Sequence, residues 1–408
     1  MNRRNTSLYT RKKRKQHAGK VIGQGSYGCV LSPPLECEEP NLLQKGYVSK
    51  FMEVGEANSE LKEFRTINKL DPTERYHLGK PIMCRPKNTV KNKNELKKCN
   101  NNPKTASLNR YRILLLKNGG TDLDKFCQQL PKSVNSAQFW NSAQQIVTGL
   151  YFFEKKHICH HDIKPSNIVY SPITKKMVFI DFGLMNSFRK IIEEANRSLI
   201  HGRFHWSYPL DYLLLNKNIF QSFVSLSLEK RQTMSNKFIR DFMNNKNDLF
   251  SSFDTTFYYF YGNQPFNKEA HLRAFFDCIC KETITYSDYL QRTIQSIDSY
   301  AIGMTLSYAV NRFYESGKIS QPVWNFGIQL FREEMGNWNP KLRNLNFTNI
   351  LSKYQTFLSL IATTPNVPGP LAPKRGGNGV NTVIKYADID PMEEKQKKEW
   401  FDNLLINS

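Results

Sequence analysis

No apolar run in the 408-residue chain is long enough to cross a bilayer, and a mean hydropathy of -0.55 excludes a membrane span as its organising element. Acidic residues are scarce. Thirty-six Asp and Glu stand against 58 Lys and Arg, for a formal charge of +22, and no acidic residue precedes Glu36. That imbalance says little about fold but favours anionic partners: nucleic acid, nucleotide phosphates, acidic lipids or acidic proteins. The eight cysteines are scattered rather than framed for disulfides, and Met1–Leu8 lacks the apolar segment of a signal peptide. Reduced thiols and an intracellular setting are therefore expected. No internal repeat is visible, and no Gly-Lys-Ser/Thr of the Walker type occurs.

What remains is ample for a folded interior: 39% hydrophobic and 12% aromatic residues, in a chain longer than one core usually extends. Two lobes or domains plus tails are expected. The densest charge is Arg11-Lys-Lys-Arg-Lys15, flanked by Arg3, Arg4 and Lys20. It reads either as a solvated tail or as a patch for an import receptor or nucleic acid.

Lys20–Val30 alternates apolar and small residues as two strands joined by a glycine turn, and Gly46–Phe51 is a further strand. Ala57, Leu61, Phe64 and Ile67 recur at three- and four-residue steps, predicting a helix from Glu56 to Leu70 that stops at Asp71-Pro72. Residues 84–105, rich in Lys and Asn, read as a surface insertion before the apolar strand Tyr111–Leu116. Phe139, Ala143, Ile146, Val147, Leu150 and Phe153 mark a long amphipathic helix, Met177–Ile180 is a strand, and the pattern after about residue 205 is mostly helical. Thr363–Asn378 reads as a linker, and Asp390–Leu405 as a last helix.

His157-Ile-Cys-His-His-Asp-Ile-Lys-Pro-Ser-Asn167 crowds three histidines, a cysteine and a carboxylate, the raw material of a metal site. Neighbouring side chains of an extended segment point to opposite sides, however, so His160 and His161 could not easily share one ion. Cys278-Ile-Cys280 has no second pair near it and makes a poor zinc site. Phosphoryl transfer offers a better account. It needs a carboxylate to orient the accepting hydroxyl, oxygen ligands for magnesium, and a cation to offset charge. Asp162, then Asn167 with Asp181, and Lys164 supply those parts in order. Upstream, Gly23-x-Gly25-x-x-Gly28-x-Val30 sits between two strands, where glycines permit close approach to phosphates. Lys50 on the next strand could reach two of those phosphates, held by Glu60 or, one turn on, by Glu63.

With these pieces the chain resembles the eukaryotic-type protein kinase superfamily over most of residues 20–360, and in Gly25–Cys37 and Leu61–Pro72 it further resembles protein kinases of large double-stranded DNA viruses. The resemblance implies an α+β bilobal protein-kinase fold, with a small β-rich N-lobe and a larger helical C-lobe, and ATP between them. It assigns 1–19 to a basic tail, 20–118 to N-lobe and hinge, 119–361 to the C-lobe with an insertion at about 212–290, and 362–408 to linker and helix. Ile22, Gly23, Gln24, Gly25, Ser26, Tyr27, Gly28, Cys29 and Val30, with Lys50 and Glu60, would bind ATP, and Leu114–Asn118 would form the hinge. Asp162, Lys164 and Asn167 would be catalytic, with Asn167 and Asp181 holding Mg2+. Phe64, His160 and Phe182 fit the apolar column of active kinases, and Asp298 the aspartate that anchors the catalytic-loop backbone.

Two departures stand out. His161 occupies the place of the usual Arg before the catalytic Asp, so a phosphorylated activation loop would lack its arginine partner. Tyr208-Pro-Leu-Asp211 replaces the Ala-Pro-Glu signature, with Asp211 expected to pair with Arg343. The long connection before Asp298, including the aromatic run Phe253–Tyr261, reads as helical padding more readily than as a docking surface. The expected activity is transfer of the ATP γ-phosphoryl group to Ser/Thr hydroxyls of protein substrates, Lys164 favouring that branch. The competing readings are a catalytically inactive pseudokinase scaffold and a basic nucleic-acid-binding protein.

Overall fold

The computed structural model describes residues 20–25, 28–40, 42, 45–99, 105–197, 207–244, 256–262, 266–281 and 283–364. The basic tail, Ser26, Tyr27 and the helix expected at Asp390–Leu405 lie outside them. The described residues divide into two compact units, 20–62 with 80–118, and 63–79 with 119–364.

The first unit is built on a five-stranded antiparallel sheet in the order β1-β2-β3-β5-β4, from β1 (Lys20–Gly25), β2 (Gly28–Ser32), β3 (Tyr47–Glu53), β4 (Ile82–Cys84) and β5 (Tyr111–Lys117). Period-two alternation gives the sheet two apolar faces. On one, Met52 and Leu114 meet Ala57 and Leu61 of helix α1 (Val54–Leu70). On the other, Cys29, Leu31, Phe51, Ile113 and Leu115 pack with Leu96 and Cys99. That second face corrects the expectation of a plain surface insertion at 84–105. The segment carries a short helix, α2 (Val90–Leu96), capped by Thr89 and with Asn92, Glu95 and Leu96 buried. Asn92 acts as its clasp: its Oδ1 accepts from the Glu36 amide at 2.9 Å, and its amide nitrogen donates to the carbonyls of Glu36 and Lys87 at 2.8 Å each.

The cysteines also depart from expectation. Cys29 is bonded to Cys99, and Cys37 to Cys84, with Cα atoms 6.0 and 5.8 Å apart. Both bridges tie the chain around β2 to the α2 segment, one at each of its ends. Structural disulfides persist in oxidising surroundings, so the reduced state inferred from spacing fails for these four. Cys127, Cys159, Cys278 and Cys280 are free and buried.

The second unit is mainly helical. Its core is formed by α4 (Ser136–Lys155) and the long buried helix α9 (Tyr286–Glu315), with α10 (Phe347–Thr363) against α4. Trp140 of α4 gathers Phe139, Phe313, Phe331 and Phe357, with ring centroids 5.0–6.1 Å apart. A small sheet of β6 (Thr121–Asp122), β8 (Ile168–Ser171) and β9 (Lys176–Phe179) lies beside α4, and the short helix α3 (Leu123–Gln128) follows β6 directly in the chain. Gly120, at φ +101, lies so close to the Tyr170 carbonyl that any Cβ would collide with it. Residues 63–79 were expected in the N-lobe, yet they join this unit because Phe64 packs on Phe182, Tyr76 on Phe152 and Phe153, and the Phe179 amide bonds to the Tyr76 carbonyl at 3.0 Å.

The long connection before Asp298 carries α6 (Lys217–Ser225), α7 (Leu228–Met243), a helical stretch at 256–261 and α8 (Lys268–Cys280). Phe257, Tyr259, Phe260 and Tyr261 are buried, Phe257 stacking on Trp338 at 5.1 Å and Tyr259 meeting Tyr308 edge-on at 5.0 Å. The described part of the aromatic run is therefore core. Among the described residues, no helix is long and apolar enough to cross a membrane.

Candidate active site

In the first unit the glycine stretch folds as the β1–β2 hairpin, with Gly23 opposite Val30, Gln24 opposite Cys29 and Gly25 opposite Gly28. The register shifts at Ile22, a bulge between Val21 and Gly23. Gly28 is needed for packing within the sheet: a Cβ there would stand 2.9 Å from the Phe51 carbonyl oxygen on β3. Cys29 was expected to line a nucleotide site, but it alternates with Gly28 and Val30, and its sulfur is spent in the disulfide on the opposite face.

Lys50 pairs in register with Val30 on one side and Leu114 on the other, which sets its side chain on the face covered by α1. Its Nζ lies 2.5 Å from Oε2 of Glu60, and both side chains are mostly buried. Glu60, the first of the two acids considered, is thus beside Lys50. Glu63 has its carboxylate toward Gly183, 3.7 Å from where a Cβ would stand on that glycine.

In the second unit, α4 ends where His157 takes a left-handed φ of +52, its amide bonding back to the Glu154 carbonyl at 2.8 Å. The strand Ile158–Cys159 (β7) then pairs antiparallel with Asn186–Ser187 (β10), which follows Asp181-Phe-Gly183. From α9, Asp298 accepts the His160 amide at 2.6 Å, the His161 amide at 3.0 Å and the Cys159 thiol at 3.1 Å. The four side chains of the His/Cys cluster thus go to four different neighbours: His157 to Phe188, Cys159 to Asp298, His160 to Phe182 and His161 to Tyr208.

His160 is fully buried between Phe179 and Phe182, at 5.3 and 5.0 Å, and Phe64 meets Phe182 edge-on at 6.0 Å. Burial holds the His160 imidazole below its ordinary pKa, so it packs as a neutral ring. His77, which no sequence signal singled out, joins this column at 6.2 Å from Phe182. The Gly79 amide donates to its Nδ1 at 3.0 Å, leaving Nε2 to donate to the Asp71 carbonyl, also at 3.0 Å.

Asp162 lies at the centre of the polar group. Its carboxylate is 3.0 Å from Lys164 Nζ, and the Asn167 amide nitrogen donates to its Oδ2 at 2.6 Å and its carbonyl at 2.9 Å. Burial raises the Asp162 carboxyl above the ordinary aspartate range; Lys164 opposes that rise and the neighbouring Asp181 adds to it. Because the Asn167 nitrogen is fully used, its Oδ1 is the atom left for other work. With the Asp181 carboxylate it offers oxygen donors only, the set a hard cation such as Mg2+ prefers. Asp181 has φ +63 and His161 φ +64, left-handed conformations that cost a non-glycine residue about 1 kcal/mol or more and concentrate at functional sites.

The remaining expected pair is also formed. Arg343 and Asp211 meet through two bonds of 3.1 Å with both side chains buried. Tyr208 stood out in the sequence only as the first residue of Tyr208-Pro-Leu-Asp211, and Tyr212 in no motif; their rings lie 4.7 and 5.6 Å from that of His161.

No curated protein matches the chain. The β-rich first unit and the helical second unit are the two parts of the α+β bilobal kinase fold. Residues 16–201, which include Lys50, Asp162, Asn167 and Asp181, match the family model of the protein kinase domain, and this supports membership of the eukaryotic-type protein kinase superfamily.

Proposed function

We propose that the protein transfers the γ-phosphoryl group of ATP to serine and threonine hydroxyls of protein substrates. The observation that carries the reading is the buried Asp162–Lys164–Asn167 group, a general base with a cation at 3.0 Å and a fixed amide at 2.6 Å, beside the strained Asp181. Asp162 takes up the proton of the accepting hydroxyl, a task helped by a carboxyl raised toward working pH. Lys164 offsets charge on the group in transit, and is the residue that favours serine and threonine over tyrosine. Lys50, steadied by Glu60, grips the α- and β-phosphates beneath the glycine hairpin. Asn167 Oδ1 and Asp181 would hold Mg2+, which when bound neutralises phosphate charge. The kinship with kinases of large DNA viruses belongs to the same proposal and rests on Gly25–Cys37 and Leu61–Pro72 alone.

The test is transfer of labelled phosphate to a peptide library, read by mass spectrometry, for the wild type and Asp162→Ala. Transfer should be lost in the variant while ATP binding stays within a few-fold. Equal transfer by both proteins refutes the assignment of Asp162. ATP binding without transfer by the wild type refutes the activity and leaves a scaffold.

A further inference from the structure

The contact between Tyr208 and His161 does more than fill space. His161 immediately precedes Asp162, and its backbone is held at both ends: its amide donates to Asp298 Oδ1 at 3.0 Å, and its carbonyl accepts from the Tyr208 hydroxyl at 2.7 Å. That carbonyl belongs to the peptide unit whose nitrogen is the Asp162 amide, and a peptide unit is planar. Fixing the carbonyl oxygen therefore fixes the plane from which the Asp162 side chain departs. The need is greater because His161 sits at φ +64, where the backbone of a non-glycine residue does not rest unaided.

The ring of Tyr208 is positioned for this task. It stacks on the His161 imidazole at 4.7 Å with planes 5° apart, and Tyr212 packs against both rings, 4.7 Å from Tyr208 and 5.6 Å from His161. Tyr208 is buried and its phenol is pushed up by that burial, so the hydroxyl keeps its proton and donates. The apolar cluster around it includes Ile191 and Ala195 of α5 (Phe188–Arg197), the helix that follows Asp181-Phe-Gly183, together with Leu215 and Ile297. Asn216 fastens the end of α5 by donating to the Ala195 carbonyl at 2.8 Å. Apolar packing and backbone hydrogen bonds thus order the described part of the segment after Gly183. An imidazole stacked flat on a phenol also offers no guanidinium fork to a phosphate.

We propose that Tyr208 is a positioning residue for Asp162, aiming it through the His161 peptide, and that this latch orders the catalytic loop without a phosphorylated activation segment. The proposal rests on the kinase reading above. Its test compares the wild type with Tyr208→Phe, which removes the hydroxyl and keeps the stacked ring, and Tyr208→Leu, which removes both. Phosphate transfer is measured before and after phosphatase treatment, alongside thermal unfolding. Tyr208→Phe should lower kcat by about 10- to 100-fold with KM for ATP within about twofold and the unfolding midpoint nearly unchanged. Tyr208→Leu should lose more and melt earlier, and phosphatase should leave wild-type activity intact. A Tyr208→Phe enzyme with wild-type kcat overturns the positioning role, as does a loss of kcat explained by an equal fall in folded fraction. Loss of wild-type activity after phosphatase treatment overturns the phosphate-independent latch. If the wild type transfers no phosphate at all, it is the kinase reading that has failed.

Discussion

Replacing Arg343 with methionine should be among the most damaging single changes in the helical unit. Arg343 meets Asp211 through two parallel hydrogen bonds of 3.1 Å, donates from Nη1 to Ser296 Oγ at 2.7 Å, and from Nε to the Asn337 carbonyl at 3.0 Å. Its side chain is 1% exposed and that of Asp211 0%, so water cannot replace the lost partner. Arg343→Met leaves a buried carboxylate unpaired, which costs about 3–5 kcal/mol against a typical domain stability of about 5–15. For a body of this size each kcal/mol moves the midpoint by roughly 2–4 °C, so a fall of about 10 °C is expected by calorimetry. Asp211→Leu alone strands the guanidinium and should cost a similar amount. The double variant Asp211→Leu/Arg343→Met removes both charges, and because a buried pair is often replaceable by apolar groups, it should recover most of the loss. A single variant melting within about 2 °C of the wild type, or a double variant as unstable as the two losses summed, would refute the buried-pair account.

Two further consequences concern a charge and a covalent link. Asp162→Asn should cut kcat by about 10²- to 10⁴-fold and yet raise stability at neutral pH: the folded carboxyl is raised, so the folded state binds its proton more tightly than the unfolded chain does, and ionisation of Asp162 destabilises the fold as pH rises. The gain, read as a urea midpoint, should vanish on acidification below the ordinary aspartate pKa; a variant no more stable than the wild type at pH 7 contradicts the burial argument. Alkylation under denaturing, non-reducing conditions should find four of eight cysteines reactive. Breaking the Cys29–Cys99 bridge, which spans 70 residues, should remove about 4 kcal/mol from the first unit by loop entropy. Eight reactive thiols, or no change in hydrogen exchange at β2 and α2 on reduction, would count against both bridges.

Legibility from sequence followed the distance over which each feature is written. Asp162, Lys164 and Asn167 lie within six residues, and their chemical types alone suggest a base, a cation and an oxygen ligand; the structure places them in mutual contact. Helix α1 was visible through Ala57, Leu61, Phe64 and Ile67 because one buried stripe repeats over about three turns. Helix α2 was not: seven residues with two lysines and two asparagines carry too few turns for a stripe, and its buried Asn92 reads as a loop residue until Glu36 is known to be its partner. The pairing of Asp211 with Arg343, 132 residues apart, came from family resemblance, since no local pattern links the two.

Cys29 shows how a signal can be present and outvoted. Strand alternation already sets it opposite Val30, away from whatever Val30 faces, but its place in the glycine stretch suggested the nucleotide instead. A period-two rule acts at every residue of a strand, whereas a motif constrains only the positions that touch its ligand, so where they conflict the strand geometry should be followed. Applied to Gly28, the same reasoning reassigns part of the motif. The close approach of the Phe51 carbonyl on β3 is enough by itself to require glycine there, with or without a phosphate above it. Gly28→Ala should therefore disturb the β2–β3 pairing even in a chain that has never met ATP.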